Sequence, residues 1–418
     1  MSGPGAEAGT VVVLAVGEEL LLGDGVNTNL AWLGAQAAAV GLRVVGAEEV
    51  GDGVTEIVAA LRRCAARADA VVVTGGLGPT SDDRTREALA AFAGVGLVRD
   101  ADELSRILGW FAARGRTAPP AVATQADALV GARLLTNPLG TAPGLAVEVA
   151  GTLVVALPGV PAELAALWHA DVADLLVRRA GHPAPLLTRQ VRVVGRGESD
   201  VAHRLAGVEA ALPPQVQLAY LASPSEVRVR LTGRDPAVLA ALLDEVAAVL
   251  GDAVAARDGQ SLPEAVVAAL AGRGLTVACA ESLTGGALAA ALVDVAGASG
   301  VLRGGVVAYS LDAKARLLGV DPALLAATGG VDPEVAVAMA RGAAAALGAD
   351  IGVATTGVAG PDPVGEHPVG EVHVAVAGPG THLSSQALRL VGDRALVRAV
   401  TTTRALDLLR RALLAPPA

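Results

Sequence analysis

Thr276-Val-Ala-Cys-Ala-Glu281-Ser282-Leu-Thr284-Gly285-Gly286 passes from an apolar run into a polar stretch that closes on two glycines. A short apolar run that leads through glycines into a helical pattern reads as a buried strand feeding a helix, the repeating unit of an α/β sheet. Ser282 then falls at the carboxyl end of that strand. Open α/β sheets bind ligands there, and the N–H groups near Thr284, Gly285 and Gly286 would face an anion at the helix start. Taken alone, the segment admits a second reading in which Ser282 or Thr284 only caps the helix.

Working outward, the same alternation predicts a helix from Ser261 through Ala271, strands at Leu275–Ala280, Gly305–Tyr309 and Ile351–Thr355, a helix at Pro333–Leu347 and a last helix from Asp393. Toward the N-terminus it predicts strands at Val11–Val16, Leu42–Val45 and Ala70–Thr74 with helices at Asn29–Val40 and Thr55–Ala68. A hairpin follows at Leu145–Val149 and Thr152–Leu157. Between these halves, Leu186–Val194, Asp200–Leu205, Val216–Leu221, Val227–Leu231 and Pro236–Leu250 read as β-α-β-β-α. The expected fold class is α/β: two three-layer domains with mostly parallel sheets, 1–180 and 259–418, joined by a small α+β module at 181–258.

Composition agrees with this class. Hydrophobic residues make up 53% of 418 positions but aromatics only 2%, so cores must be built from Ala, Val and Leu. A net charge of −10 leaves no basic face for duplex nucleic acid and favours a small-molecule substrate. The two cysteines, Cys64 and Cys279, lack metal or disulfide spacing, and Cys279 reads as core. No histidine cluster suggests zinc. With no signal-peptide pattern and no membrane span, a cytoplasmic location is expected.

Of the 32 basic residues only Lys314 is lysine. A base composition that replaces lysine wherever arginine serves leaves lysine where arginine cannot act. A group that must lose its proton is such a place, because arginine keeps a pKa above ~12 whereas buried lysine falls toward neutrality.

Gly304-Gly305-Val-Val-Ala-Tyr309-Ser-Leu-Asp-Ala-Lys314 puts Tyr309 at a strand end and Lys314 in the turn after it. Ala354-Thr355-Thr356-Gly357-Val-Ala-Gly360-Pro361 ends a third strand in a glycine-rich loop. Three strand ends meeting at one pocket would give Ser282 a general base in Lys314, with Tyr309 relaying the proton or orienting the amine. Thr356 and N–H groups near Gly357 would meet the oxyanion. The base role requires the amine to drop ~3 units from ~10.4, a differential cost of roughly 4 kcal/mol that burial can supply.

A second constellation is Thr74-Gly75-Gly76-Leu77-Gly78-Pro79-Thr80-Ser81-Asp82-Asp83-Arg84-Thr85. Gly75, Gly76 and Gly78 allow close backbone approach to a phosphate, and Asp82 with Asp83 offers oxygen ligands to a divalent metal ion, magnesium or similar. The same residues also read as a glycine turn with an acidic helix start.

The phrases AESLTGG, LRGGVVAYS with a lysine five residues after the tyrosine, TTGVAGP, PVG and GDR closely resemble the C-terminal domain of the CinA family, over about Leu262 to Leu413. That resemblance implies a nicotinamide mononucleotide deamidase with no required cofactor. It implies Ser282 as nucleophile, activation by Lys314 and Tyr309, Thr356 near the oxyanion, and Arg394 as a phosphate ligand; helix-start surface charge is the other reading of Arg394. AVGEELLLGDGVNTN, TGGLGPTSDDRT, NPLGTAPG and LPGVPAEL resemble the family's N-terminal domain, of the molybdopterin-binding fold group. This implies a metal-dependent ADP-ribose pyrophosphatase site around Asp82, Asp83, Asn27, Asn29 and Glu19. The competing implication is a molybdopterin binder or competence-associated adaptor without turnover there. A homodimer acting on small nucleotides, with no nucleic acid or membrane partner, is the expected assembly. His367 and Asp332 depart from the family's usual lysine and serine, and a changed substrate contact is expected at His367.

Overall fold

A computed structural model describes residues 9–378 and 381–414. The outermost ends of the first and last expected domains, 1–8 and 415–418, lie outside the described residues. The chain divides into two compact units, Met1–Leu187 and Thr188–Ala418. No helix among the described residues is long and apolar enough to cross a membrane.

The first unit holds a six-stranded sheet in the order Arg43–Val50, Thr10–Val16, Ala70–Thr74, Thr152–Leu157, Gly144–Val149, Arg133–Leu135. The first four run parallel, and each of the last two pairs antiparallel with the strand before it. Strands covered on both faces need near-continuous apolar runs, which Val11–Val16 and Ala70–Val73 supply. Val12, Leu14 and Val16 pack with Ile57 and Leu61 on one face, while Val11 and Val13 pack with Leu33 and Trp168 on the other. Helices on both faces thus make three layers.

Between the third strand and the hairpin lies a region for which the sequence predicts only the start of a helix after the glycine turn. It contains helices Thr85–Ala93 and Ala101–Ala112, a 3-10 turn Pro120–Ala126 and a strand pair, Leu97–Arg99 with Asp127–Leu129. Ile107, Phe111, Val122 and Ala126 give it its own small core.

The second unit contains both later sequence modules. A four-stranded sheet runs Gln217–Ala222, Glu226–Gly233, Leu187–Val194, Val254–Arg257, the last strand being unanticipated. A five-stranded sheet runs Leu302–Val307, Val277–Glu281, Ile351–Gly357, Glu371–Gly378, Thr381–Arg389. Its first three strands are parallel, and the final two form an antiparallel hairpin the sequence reading lacked. The final helix Arg394–Leu414 joins the two parts: Arg410 donates to the Asp252 carbonyl at 2.7 Å while its buried guanidinium pairs with Asp407.

Candidate active sites

In the second unit, strand Val277–Glu281 delivers Ser282 to the carboxyl edge of the sheet, where its N–H donates to the Thr355 carbonyl at 3.0 Å. Lys314 Nζ lies 3.0 Å from Ser282 Oγ. Both side chains are buried, Lys314 at 3% exposure. The lysine is not in a turn, as expected from sequence. It belongs to helix Leu311–Leu318, which starts where the Ser310 hydroxyl accepts the Ala313 N–H. Gly330 covers the lysine stem: a Cβ there would press to 2.6 Å on Leu311 and stand 3.7 Å from Lys314 Cδ and Cε. Burial pulls the amine from the ordinary 10.5 down to about 8, the direction a general base needs.

The pocket around this pair measures about 430 Å³ and is lined also by Tyr309, Thr356, Gly357 and Arg394. Among the described residues no hydrogen bond joins Tyr309 to the lysine. Its hydroxyl accepts from Arg394 Nη2 at 2.8 Å, and the ring is largely exposed, so the relay expectation gives way to a place at the pocket mouth. Arg394 is held there by a second bond, to the Gly360 carbonyl at 2.8 Å. Thr356 also changes role. Its hydroxyl donates to the Gly330 carbonyl at 2.5 Å, so its proton is already committed.

The donor beside Ser282 is the Leu283 N–H, which has no partner among the described residues and belongs to a residue lining the pocket. Arg398, absent from the sequence reading, donates to the carbonyls of Leu283 at 3.1 Å and Thr284 at 2.8 Å and so fixes that turn. Its signal was weak, one arginine in a helical run.

Glu281 was missed as well. Its carboxylate, 1% exposed, accepts N–H bonds from Gly286, Leu288 and Ala289 at 2.8–3.0 Å. A buried charge must be paired, and the unsatisfied donors of the helix start are within reach. Gly286 therefore offers no N–H to a ligand, and Gly285 donates to the Ser282 carbonyl at 3.1 Å. Thr284 meets Thr355 hydroxyl to hydroxyl at 2.7 Å, so neither it nor Ser282 caps the helix. Cys279 is core, and burial pushes its thiol up.

In the first unit, a cleft of about 630 Å³ is lined by Asn27, Asn29, Gly75, Gly76, Gly78 and Asp82, among others. A Cβ at Gly75 would lie 2.1 Å from the Val16 carbonyl oxygen, so only glycine fits where these strands end. Gly75 N–H bonds the Leu157 carbonyl at 3.1 Å and Gly78 N–H bonds Asp83 Oδ1 at 2.7 Å. The backbone donors left for a phosphate are those of Gly76 and Leu77, which have no partner among the described residues. Asn29 Nδ2 ties its helix to Thr74 Oγ1 at 3.1 Å and to the Gly159 carbonyl at 2.8 Å. Asn27 caps that helix through the Leu30 N–H at 2.9 Å and also bonds Glu49.

Asp83 spends both oxygens on the loop, accepting from Gly78 N–H and from the Thr80 N–H at 2.9 Å and hydroxyl at 2.5 Å. It braces the loop, while Asp82, whose carboxyl the Thr80 side chain holds below the usual carboxylate range, lines the same cleft. Among the described residues no three Asp, Glu, His or Cys side chains converge on one point. Asp82 and Asp83 would offer carboxylate oxygens to a divalent ion such as magnesium, which is commonly held by one or two carboxylates together with substrate phosphate.

The family model of the CinA C-terminal domain matches residues 259–413, that of a probable molybdopterin binding domain 12–177, and that of the damage-inducible protein CinA KH domain 188–256. A CinA-like protein of Frankia casuarinae is 45% identical over 97% of this chain and 96% of its own. The chain belongs to the CinA-like family. A CinA-like protein of Geobacter sulfurreducens is 40% identical over 97% of this chain and 99% of its own. A crystal structure of CinA, described as of unknown function, from Thermoplasma acidophilum is 39% identical over 40% of this chain and 98% of that one, with a TM-score of 0.38.

Both departures from the usual CinA-like text are structural. Asp332 caps helix Pro333–Leu347 by accepting the Glu334 N–H at 2.7 Å, a task a serine also performs. His367 stands outside the pocket lining, bridging the Thr328 carbonyl at 3.0 Å and Glu371 at 3.4 Å. It meets the pocket lining through the Thr328 carbonyl, which precedes the Gly329–Gly330 turn, and through backbone bonds to Val364.

Proposed function

We propose that this chain deamidates nicotinamide mononucleotide to nicotinate mononucleotide and ammonia in its second unit, and splits ADP-ribose into AMP and ribose 5-phosphate in its first. The contact between the buried Lys314 amine and Ser282 Oγ, at 3.0 Å, carries the first assignment. Neutral Lys314 takes the Ser282 proton as Oγ bonds to the carboxamide carbon, and the Leu283 N–H meets the oxygen that becomes negative. Collapse breaks the C–N bond, and the proton on Lys314 passes to the leaving nitrogen, giving ammonia. Water then attacks the acyl carbon while losing its proton to Lys314; the bond to Ser282 Oγ breaks, that proton passes from Lys314 to Oγ, and nicotinate mononucleotide leaves with serine and neutral lysine restored. Arg394, steadied by Tyr309 and Gly360, meets the substrate phosphate at the pocket mouth. Ammonia release from nicotinamide mononucleotide by the purified chain tests this reading, and its absence ends it.

For the first unit, the Gly76 and Leu77 N–H groups support a phosphate and Asp82 supports a divalent ion. When bound, that ion would neutralise the pyrophosphate and polarise it toward water. Asp82→Asn should lower metal-stimulated ADP-ribose turnover roughly a hundredfold. Unchanged turnover, measured as AMP formed, would remove Asp82 from the site. The matched description of a molybdopterin binding domain favours a second reading, a binder or competence-associated adaptor. Tight molybdopterin binding with ADP-ribose left intact decides for it. A cytoplasmic homodimer acting on small nucleotides, without nucleic acid or membrane partners, completes the proposal.

A further inference from the structure

Thr85 opens the helix Thr85–Ala93 behind the first unit's glycine turn and is fully buried, at 0% exposure. It holds two successive carbonyls of that turn: its hydroxyl donates to the Gly75 carbonyl at 2.9 Å and its N–H to the Gly76 carbonyl at 3.1 Å. Arg86, also buried, continues the series by donating from Nη2 to the Leu77 carbonyl at 2.9 Å. Glycine at 76 permits this approach. Its φ of +64 is left-handed, and a Cβ there would stand 2.3 Å from the Thr85 hydroxyl oxygen.

A trans peptide unit is planar, and its carbonyl and N–H point in opposite directions. The unit that carries the Gly75 carbonyl also carries the Gly76 N–H. Drawing that carbonyl back onto Thr85 therefore sends the Gly76 N–H away from the helix, on the side of the cleft that Gly76 lines. Gly76 is half-buried there, and its N–H has no partner among the described residues. Its neighbours differ: the Gly75 N–H is taken by the Leu157 carbonyl at 3.1 Å and the Gly78 N–H by Asp83 at 2.7 Å. A turn that faces an unclaimed N–H outward in this way receives an oxygen of an anion.

We infer that Thr85 is a positioning residue whose hydroxyl fixes the Gly75–Gly76 peptide with its N–H turned outward, where it meets a phosphate oxygen of a diphosphate substrate. The inference rests on the reading of the first unit as a diphosphate-cleaving site, and it names the group that prepares the turn before the ligand arrives. With glycine on both sides, this peptide is free to flip once the hydroxyl is absent. A donor already held in place binds more tightly than one that must be ordered on binding.

The test is calorimetric binding of methylenediphosphonate, a diphosphate analogue with carbon in place of the bridging oxygen, with magnesium present, to the full chain and to its Thr85→Val and Thr85→Ser variants. Thr85→Val keeps the branched shape and the backbone N–H and removes only the hydroxyl, so it should weaken binding roughly tenfold. Thr85→Ser restores the donor without the methyl group and should bind within about twofold of the parent. Equal affinity in all three chains, or no binding by the parent, overturns the inference. So does a serine variant as weak as the valine one, because shape and not the hydroxyl would then matter. Amide NMR on the parent reads the contact without any substitution: the Gly76 N–H should shift on addition of the analogue, and a Gly76 amide that does not respond also overturns the inference. ADP-ribose turnover separates this role from the reading beneath it. Analogue binding in the expected order with ADP-ribose left intact refutes the pyrophosphatase reading and keeps the role of Thr85, whereas ADP-ribose split at one rate by all three chains does the reverse.

Discussion

Lys314→Arg should lower the rate of nicotinamide mononucleotide deamidation roughly a thousandfold while leaving the fold intact, the size expected when a positioned general base is lost. The substitution keeps the positive charge and the capacity to donate toward Ser282. What it removes is the capacity to be neutral, since guanidinium stays protonated at any working pH. A purely structural lysine, holding Ser282 by donating to it, would tolerate the change far better. The site at 314 is narrow, with Gly330 resting on the alkyl stem, so the larger head group will also strain its surroundings. Lys314→Met, which fits the stem and lacks the amine, separates the two effects. It should be as inactive as the arginine variant and at least as stable, because removing a buried amine removes its desolvation cost. Ammonia release and thermal unfolding measured on both variants check this.

Ser282→Ala should cost still more, roughly ten-thousandfold or above, and should leave ADP-ribose turnover untouched. Without Oγ no acyl-enzyme forms, and residual rate can come only from substrate binding and the Leu283 N–H. The variant removes one small buried hydroxyl and leaves the backbone bond from Ser282 N–H to Thr355, so it should fold as the parent does. Retained ammonia release in this variant would require a different nucleophile, such as a directly activated water. An equal fall in both activities would point to damage beyond the site.

Much of this architecture was legible because its strands are unambiguous. Val11–Val16 and Ala70–Thr74 are apolar at almost every position, which only a sheet covered on both faces accommodates. The hairpin Glu371–Gly378 with Thr381–Arg389 was not legible, since a histidine, a glutamate and serines interrupt its pattern. Ser282 and Lys314 could be paired from text because one lysine among so many arginines is conspicuous. The roles of Tyr309 and Thr356 could not, because they depend on which neighbour claims each hydroxyl, and Arg394 and the Gly330 carbonyl are distant in sequence. Asp83 was missed at short range, because its oxygens are engaged within the six residues Gly78 to Asp83. Spacing shows which side chains share a loop, and the partner of each hydrogen bond emerges only after folding.

The account rests on an amine at 314 that is uncharged when it meets Ser282. The most direct test is the pH dependence of kcat/KM for nicotinamide mononucleotide, read against the titration of the Lys314 amine followed by NMR in the free chain, where this lone lysine gives a single labelled signal. Burial lowers the amine to about 8, so it is protonated and unable to accept the Ser282 proton below that value and neutral above it. The account predicts that kcat/KM rises with pH through about 8 to a plateau, and that the amine titrates at the same value. An amine titrating near its ordinary 10.5, or a kcat/KM that does not follow its deprotonation, would contradict it.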